Sequence, residues 1–225
     1  MPNATLAAFC LAVTTATASH ATIVVDDFST PQGPTSVAGE VTGSGILGGT
    51  RDYSPFTGSL DVSGGQAKLI SEEIVPDDDT GATSTQAQAF LIYGSTDGTR
   101  DLNLDLSDPD IVFIINIASI GTPTDFPLFL NLRIRTAEGE QARVAQPEIT
   151  QAGLFQVPIG DFFQGDANPA DLTDIDLISF EFASSSIVAD PITISSILIV
   201  PEPASALLLV ALGLATTVAR PRRSA

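Results

Sequence analysis

The stretch Leu128-Phe129-Leu130-Asn131-Leu132-Arg133-Ile134-Arg135 alternates leucine or isoleucine with a second, mostly polar set of residues. Successive side chains of a β-strand point to opposite faces, so this alternation predicts a strand with one buried face and one wet face. The run Ile111-Val112-Phe113-Ile114-Ile115 is apolar at every position and predicts a strand covered on both faces. Asp108-Pro109-Asp110 precedes that run and is typical of a turn.

Similar short runs, separated by clusters of Gly, Pro, Asp and Ser, fill residues 23–200, and no stretch keeps a helical period over several turns. The pattern predicts a half-buried strand over Leu102–Leu106 and a helical turn near Ile159–Phe163. About ten strands in one domain favour two stacked sheets. The predicted fold class is therefore all-β, a single β-sandwich. The further predicted strands are 23–28, 56–62, 66–70, 86–93, 149–157, 174–182 and 192–200.

The acidic composition restricts the partners of this domain. Between Thr22 and Pro203 the chain has six basic residues against 27 acidic ones, a net charge of −21. Such a surface repels phosphate backbones and anionic headgroups, so no nucleic-acid partner is expected. Cations are the natural partners, and a solvated acidic surface is the alternative.

Cysteine and histidine each occur once, as Cys10 and His20. A mature chain without them cannot form a Ser-His-Asp triad, a Cys-His pair or the usual zinc site. The remaining enzymatic options are hydrolysis of a polysaccharide by a carboxylate pair, or a lyase that uses calcium. No carboxylate pair lies in a recognisable motif, so we expect a protein that is not an enzyme.

The N-terminus has the features of a secretory signal peptide. Leu6–Val13 is a short apolar region, and Ser19-His20-Ala21 places small side chains at the −3 and −1 positions of a cleavage site after Ala21. Cleavage after Ala18 is the alternative. We expect residues 1–21 to be a signal peptide helix that signal peptidase removes.

The C-terminus carries three features in a fixed order. Val200-Pro201-Glu202-Pro203 comes first, Ala204–Ala219 follows with sixteen uncharged residues, and Arg220, Arg222 and Arg223 come last. The uncharged stretch is a little shorter than the roughly 20 residues of a comfortable helical span, and we expect it to be a transmembrane helix. Arginines after such a segment stay on the cytoplasmic side, which leaves the acidic domain outside.

This tail resembles the PEP-CTERM sorting domain. The resemblance implies an exported protein of a Gram-negative bacterium that makes exopolysaccharide. It also implies an exosortase as the processing partner, the inner membrane as a transient anchor, and the cell surface or extracellular matrix as the destination. The expected domains are a signal peptide at 1–21, a β-sandwich at 22–199 and a sorting signal at 200–225, with a basic tail at 220–225.

Three other segments, Val25–Ser29, Gly45–Asp52 and Asp174–Phe180, resemble jelly-roll domains of the galactose-binding or carbohydrate-binding-module kind. The resemblance implies a jelly-roll-like sandwich and no particular ligand.

Calcium is the cofactor that the acidic turns favour, because it binds six to eight oxygens from carboxylates and carbonyls. None of these turns has the spacing of an EF-hand loop, and a solvated acidic turn is the alternative for each. The candidate calcium ligands are Asp77, Asp78 and Asp79; Asp108 and Asp110; and Asp171, Asp174 and Asp176.

A ligand-binding face is the second candidate site. Asn131, Arg133 and Arg135 point to one side of a predicted strand, and Asn103 and Asp105 are candidates for the residues opposite them. The chain has no Trp to serve as a platform for a sugar ring, and pairing of the arginines with nearby acids is the alternative.

The first functional hypothesis is a structural or adhesive protein of an exopolysaccharide or biofilm matrix. A carbohydrate- or calcium-binding module is the second, and a polysaccharide-acting enzyme is the third.

Overall fold

The computed structural model describes residues 21–71, 87–95, 99–121, 128–136, 138, 141–144, 148–162, 171–184 and 190–201. These residues form 14 β-strands and two single-turn 3-10 helices, Leu47–Gly49 and Ile159–Asp161. The strands are β1 (Ile23–Asp26), β2 (Gln32–Thr35), β3 (Gly39–Thr42), β4 (Thr50–Thr57), β5 (Ser59–Ser63), β6 (Gln66–Ile70), β7 (Ala87–Gly94), β8 (Ile111–Ser119), β9 (Leu128–Arg135), β10 (Gln141–Arg143), β11 (Glu148–Ile149), β12 (Gly153–Pro158), β13 (Leu177–Ser184) and β14 (Ile192–Pro201).

The strands form two seven-stranded sheets in which every pair is antiparallel. Sheet A has the order β12-β8-β14-β6-β5-β2, and β1 also pairs with β14. Sheet B has the order β10-β9-β13-β7-β4-β3, and β11 also pairs with β9. The prediction of an all-β sandwich is confirmed.

The alternating stretch of β9 shows how the sequence builds the core. Its leucines and Ile134 are fully buried, whereas Phe129, Arg133 and Arg135 are partly exposed. In the middle of the core, the rings of Phe113 in sheet A and Phe180 in sheet B lie 6.3 Å apart, edge to face. Burial of these apolar side chains between the sheets is the main force that holds the sandwich together.

Strand β14 lies in the middle of sheet A and connects the two ends of the domain. One of its edges pairs with β8 from Thr193 to Pro201. Its other edge is shared, because Ile192–Ile194 pair with β6 and Ile197–Ile199 pair with β1. The first and last strands of the domain are therefore neighbours.

The prediction of a half-buried strand over Leu102–Leu106 is wrong. Only Leu104 makes a bridge, to Ile175, and Asn103 has a φ of 49°, which takes the backbone out of the extended conformation. The leucines of this segment instead bond through their backbone N–H groups to the carbonyls of residues 172, 175 and 176. The alternation reflects burial against a loop and not a place in a sheet.

Two predicted strands are divided in the structure. The stretch 56–62 breaks at Gly58, whose φ of 81° ends β4 before β5 begins. The stretch 149–157 is divided between β11 and β12. The predicted signal and transmembrane helices lie outside the described residues, and within these residues no helix has the length and apolarity to cross a membrane.

A buried ion pair joins the two sheets. Arg51 of β4 in sheet B donates from NH1 to Oδ2 of Asp26, on β1 of sheet A, at 2.7 Å, and neither side chain is exposed to solvent. The Tyr93 hydroxyl donates to the same oxygen at 3.0 Å, and the Phe28 backbone N–H donates to Oδ1 at 2.8 Å. Arg51 also donates to the Thr30 carbonyl at 3.2 Å and lies 5.7 Å from the centre of the Phe28 ring. We call Asp26 and Arg51 the core ion pair.

Burial raises the pKa of Asp26, and the neighbouring Arg51 guanidinium opposes that rise. Burial also raises the pKa of Tyr93 well above its ordinary value, so its hydroxyl keeps the proton that it donates. A carboxyl with a raised pKa in the folded state holds its proton more tightly than the unfolded chain does. The stability that this tighter proton binding contributes is full below the ordinary aspartate pKa of 3.8. It is lost as the pH rises through the pKa of Asp26 in the folded state.

Breaking the core ion pair from one side should destabilise the sandwich strongly. Arg51→Met leaves the Asp26 carboxylate buried without its cation, and we expect a loss of roughly 3 to 5 kcal/mol in the free energy of unfolding. The double variant Asp26→Leu with Arg51→Met removes both charges and should recover most of that loss. Tyr93→Phe, which removes one hydrogen bond, should cost only about 1 kcal/mol. Urea unfolding measures all three, and a double variant as unstable as Arg51→Met would contradict this account.

Candidate binding face

The side chains of sheet B that point away from the core form rows across neighbouring strands. In one row Phe90 of β7, Glu181 of β13 and Asn131 of β9 are register partners. In the next row Ile92, Ser179 and Arg133 lie side by side. We call this surface the outer face of sheet B; its central residues are Gln88, Phe90, Ile92, Phe129, Asn131, Arg133, Arg135, Leu177, Ser179, Glu181 and Ala183.

Glu181 is the centre of a hydrogen-bond network on this face. Its Oε1 accepts a bond from the side-chain amide of Gln88, and its Oε2 accepts one from Asn131 Nδ2 at 2.9 Å. Arg133 NH2 lies 3.8 Å from the same Oε2, at the outer limit of an ion pair. The Glu181 side chain is only 15% exposed, so these planar groups are fixed in the sheet surface and are not free to rotate into solvent.

Two phenylalanine rings lie beside this network. Phe90 is the register partner of Glu181 and, on its other side, of Ser54. Phe129 is the register partner of Ala183 and of Glu148. Both rings are half-buried. A half-exposed ring next to fixed amide and carboxylate groups offers both the apolar contact and the hydrogen bonds that sugar rings use.

Three arginines lie at the β9–β10 edge of the same face. Arg143 of β10 is the register partner of Arg133, and Arg135 is the register partner of Gln141. Arg135 NH2 donates to Gln141 Oε1 at 3.4 Å. We call Arg133, Arg135 and Arg143 the arginine cluster.

At the opposite edge of sheet B, Arg100 holds two carboxylates together. It donates to both oxygens of Asp52, at 3.0 and 2.9 Å, and to Glu40 Oε2 at 3.0 Å. Glu40 and Asp52 are register partners on β3 and β4, where two like charges would otherwise repel each other.

The structure brings the predicted ligand residues together on one face but does not place the residues expected opposite them there. Asn131, Arg133 and Arg135 all lie on the outward side of β9, where Asn131 is 8% exposed and the two arginines are partly exposed. The segment that contains Asn103 and Asp105 lies along residues 172–176 instead and is not a strand of sheet B. The alternative reading of the arginines is confirmed in part, since Arg133 lies near Glu181.

Two of the predicted calcium ligands, Asp108 and Asp171, accept hydrogen bonds within local turns. Asp108 Oδ1 accepts the Asp110 backbone N–H at 2.9 Å. Asp171 Oδ1 accepts the backbone N–H and hydroxyl of Thr173, and these bonds lower the pKa of Asp171. Asp176 is buried and Asp174 is exposed.

Within the described part of the chain, no three acidic, His or Cys side chains are grouped so that they could hold a metal ion. Asp77, Asp78 and Asp79 lie outside the described residues. Calcium binding stays a prediction.

The first two residues of the sorting segment belong to the folded domain. Val200 pairs with Val112 and Pro201 pairs with Ile111, so both form the end of β14. Glu202, Pro203, Arg220, Arg222 and Arg223 lie outside the described residues.

Sequence reasoning did not identify Glu181 or the core ion pair. For Glu181 a signal existed, because it alternates with Phe180 and Phe182 in a predicted strand and therefore had to lie on the wet face. For Asp26 the signal was absent. A bulge between Val24 and Asp26 turns both Val25 and Asp26 inward, and alternation alone cannot show this.

Comparison with known proteins gives a clear result for the C-terminus. Residues 200–223 match the PEP-CTERM protein-sorting motif. No curated protein matches the chain.

Two solved structures match this chain with low structural similarity. One is a family 11 carbohydrate-binding module from Clostridium thermocellum in complex with a β-1,3-1,4-mixed-linked tetrasaccharide. It is 15% identical, with a TM-score of 0.40 over 80% of this chain and 95% of that one. The other is PfGH50B, 13% identical, with a TM-score of 0.36 over 60% of this chain and 22% of that one.

The hydrogen bonds from Arg100 to Glu40 and Asp52, which we call the Arg100 clamp, give a prediction about stability. Arg100→Gln leaves Glu40 and Asp52 facing each other, and we expect a loss of about 0.5 to 1 kcal/mol at low salt that shrinks as salt is added. Lys68→Gln, which removes one positive charge from sheet A, is the matched control and should cost less. Thermal unfolding at two salt concentrations tests this. Equal, salt-independent effects of the two variants would show that the clamp contributes nothing.

Proposed function

We propose that the mature protein is a non-enzymatic matrix protein of the cell surface that binds extracellular polysaccharide through the outer face of sheet B. The sorting motif at 200–223 supports export and processing by an exosortase-type enzyme. In this proposal signal peptidase removes residues 1–21, residues 22–199 are the exported domain, and residues 200–225 are the sorting signal.

The observation that carries the binding role is the fixed polar network at Glu181. A sugar site needs planar hydrogen-bonding groups held in place and an apolar surface beside them. On this face the side-chain amides of Gln88 and Asn131 both donate to the Glu181 carboxylate. Phe90 is the register partner of Glu181. Groups that are already ordered lose little conformational entropy when a ligand binds.

The outer face also suits binding better than catalysis. Glu181 is engaged by Gln88 and Asn131 and has Arg133 at 3.8 Å. A glycoside hydrolase needs a second carboxyl group within about 5 to 10 Å of the first, on either side of the bond that it cleaves. The directly paired neighbours of Glu181 on this face are Phe90 and Asn131, and neither has a carboxyl group.

Truncating the network should weaken polysaccharide binding without unfolding the protein. Asn131→Ala removes one amide donor from Glu181, and we expect about fivefold weaker binding to the exopolysaccharide of the producing cells. Co-sedimentation of the detergent-solubilised full chain with purified polysaccharide measures this. Asn116→Ala is the control for loss of an asparagine side chain, since Asn116, which is half-buried where Asn131 is buried, lies on the outer face of sheet A.

Circular dichroism of both variants checks that each is folded. Equal binding by Asn131→Ala and the parent chain would rule out the outer face of sheet B as the site. Absence of binding to any polysaccharide would overturn the proposed function itself.

A further inference from the structure

We propose that the polysaccharide is anionic, and that the arginine cluster binds its carboxylate or sulfate groups. This inference rests on the proposed function and adds the chemical class of the ligand. It follows from where the few basic residues of a strongly acidic chain are placed.

Six basic residues lie between Thr22 and Pro203, and three of them lie away from the β9–β10 edge of sheet B. Arg51 is buried in the core ion pair, and Arg100 holds Glu40 and Asp52. Lys68 lies on β6 of sheet A, where it donates to Ser63 Oγ at 3.3 Å. The other three are the arginine cluster, so half of the positive charge of the mature chain lies at one sheet edge.

Two guanidinium groups of the cluster are neighbours across strands. Arg133 and Arg143 are directly opposite each other on β9 and β10, and like charges in that position destabilise a sheet. Arg143 has a polar interaction of its own, and Glu181, 3.8 Å from Arg133, already accepts two amide hydrogen bonds. An anionic group placed near both guanidinium groups would attract each of them.

The chemistry of arginine favours an oxyanion as that group. A guanidinium presents a planar fork of N–H donors that matches both oxygens of a carboxylate or sulfate, which a neutral hydroxyl does not. Arg143 is exposed and the Arg133 side chain is 36% exposed, so both can reach a polymer lying across the face. The surrounding negative charge of the domain would exclude an anionic polymer from other surfaces.

The test compares one polymer in two charge states. Binding of the detergent-solubilised full chain is measured with polygalacturonate, a polyuronate, and with the same polymer after methyl esterification of its carboxylates. We expect about tenfold tighter binding to the charged polymer at low salt, and a smaller difference at high salt.

Arg143→Gln should weaken binding to polygalacturonate about fivefold, whereas Lys68→Gln, with the same loss of charge on sheet A, should leave it unchanged or strengthen it slightly. Equal affinity for the two polymers, or equal effects of the two variants, would overturn this inference while leaving polysaccharide binding intact. Failure of every polysaccharide to bind would instead overturn the proposed function.

The end of β14 supports a second, independent inference. We infer that the sorting tail is processed only when the C-terminal end of β14 is released from sheet A. Val200 and Pro201 are both strand residues within the matched motif, and their register partners on β8 are Val112 and Ile111. On its other edge, β14 pairs with β1 up to Ile199.

Peptidases take up their substrates as extended chains whose backbone is free to bond to the enzyme. In β14 that backbone is already bonded to its neighbours, and Ile197 and Ile199 are buried in the core. Only Glu202 and Pro203 separate the strand from the uncharged segment Ala204–Ala219, a reach of about 10 Å. Processing therefore proceeds from a locally opened state, whose population limits its rate.

Two variants of the full chain test this inference in cells that process the tail. The first variant has an insertion after Pro201 that consists of ten Gly and Ser residues followed by a second Val-Pro. β14 stays intact, and an unpaired copy of the motif precedes Ala204. Pulse-chase labelling should show processing at least about threefold faster than in the parent chain.

The second variant locks the strand. Ile114→Cys with Leu198→Cys places two thiols at a half-exposed register pair of β8 and β14, where a disulfide can form in an oxidising compartment. It should slow processing relative to each single cysteine variant, and a reductant should restore the rate. Unchanged rates in both variants would show that the folded strand does not restrict processing.

Discussion

The guanidinium of Arg51 lies 2.7 Å from the Asp26 carboxylate between the two sheets, and neither group reaches solvent. An unpaired charge at that depth would be very costly, so the packed sandwich holds these two residues in contact. The contact fixes β1 against β4 and β7, since Tyr93 donates to the same carboxylate. By placing β1, it also sets the partner of the last strand, because β1 pairs with β14.

The fold class could be read from the sequence, but the pairing of its strands could not. Alternation in β9 identified its inward leucines and outward arginines, because burial depends on which face a residue occupies. The same rule fails at Asp26, because a bulge turns two successive residues into the core. The rule also fails over Leu102–Leu106, because these leucines lie against a loop and are not part of a sheet. The binding face shows the same limit. Alternation predicted Asn131 and Arg133 on one face. Glu181 lies 50 residues from Asn131 in the chain, and only the strand register shows that the two are neighbours.

The placement of charge connects the fold to the proposed role. The segment between Thr22 and Pro203 has 27 acidic residues and six basic ones, a negative charge that favours solubility but repels anionic polymers. The three arginines on β9 and β10 form a positively charged patch within this negative surface, beside the hydrogen-bond network of Glu181. The sorting motif indicates an exported protein, and its first two residues belong to the sandwich itself.

The central claim is that the outer face of sheet B is the surface that contacts polysaccharide. Two-dimensional NMR of the isotopically labelled full chain, titrated with polygalacturonate oligomers, tests it directly through side-chain amide signals. The account predicts that the signals of Asn131 and Gln88 move while that of Asn116, on the outer face of sheet A, stays in place. Movement of the Asn116 signal with those of Asn131 and Gln88 unchanged would contradict it.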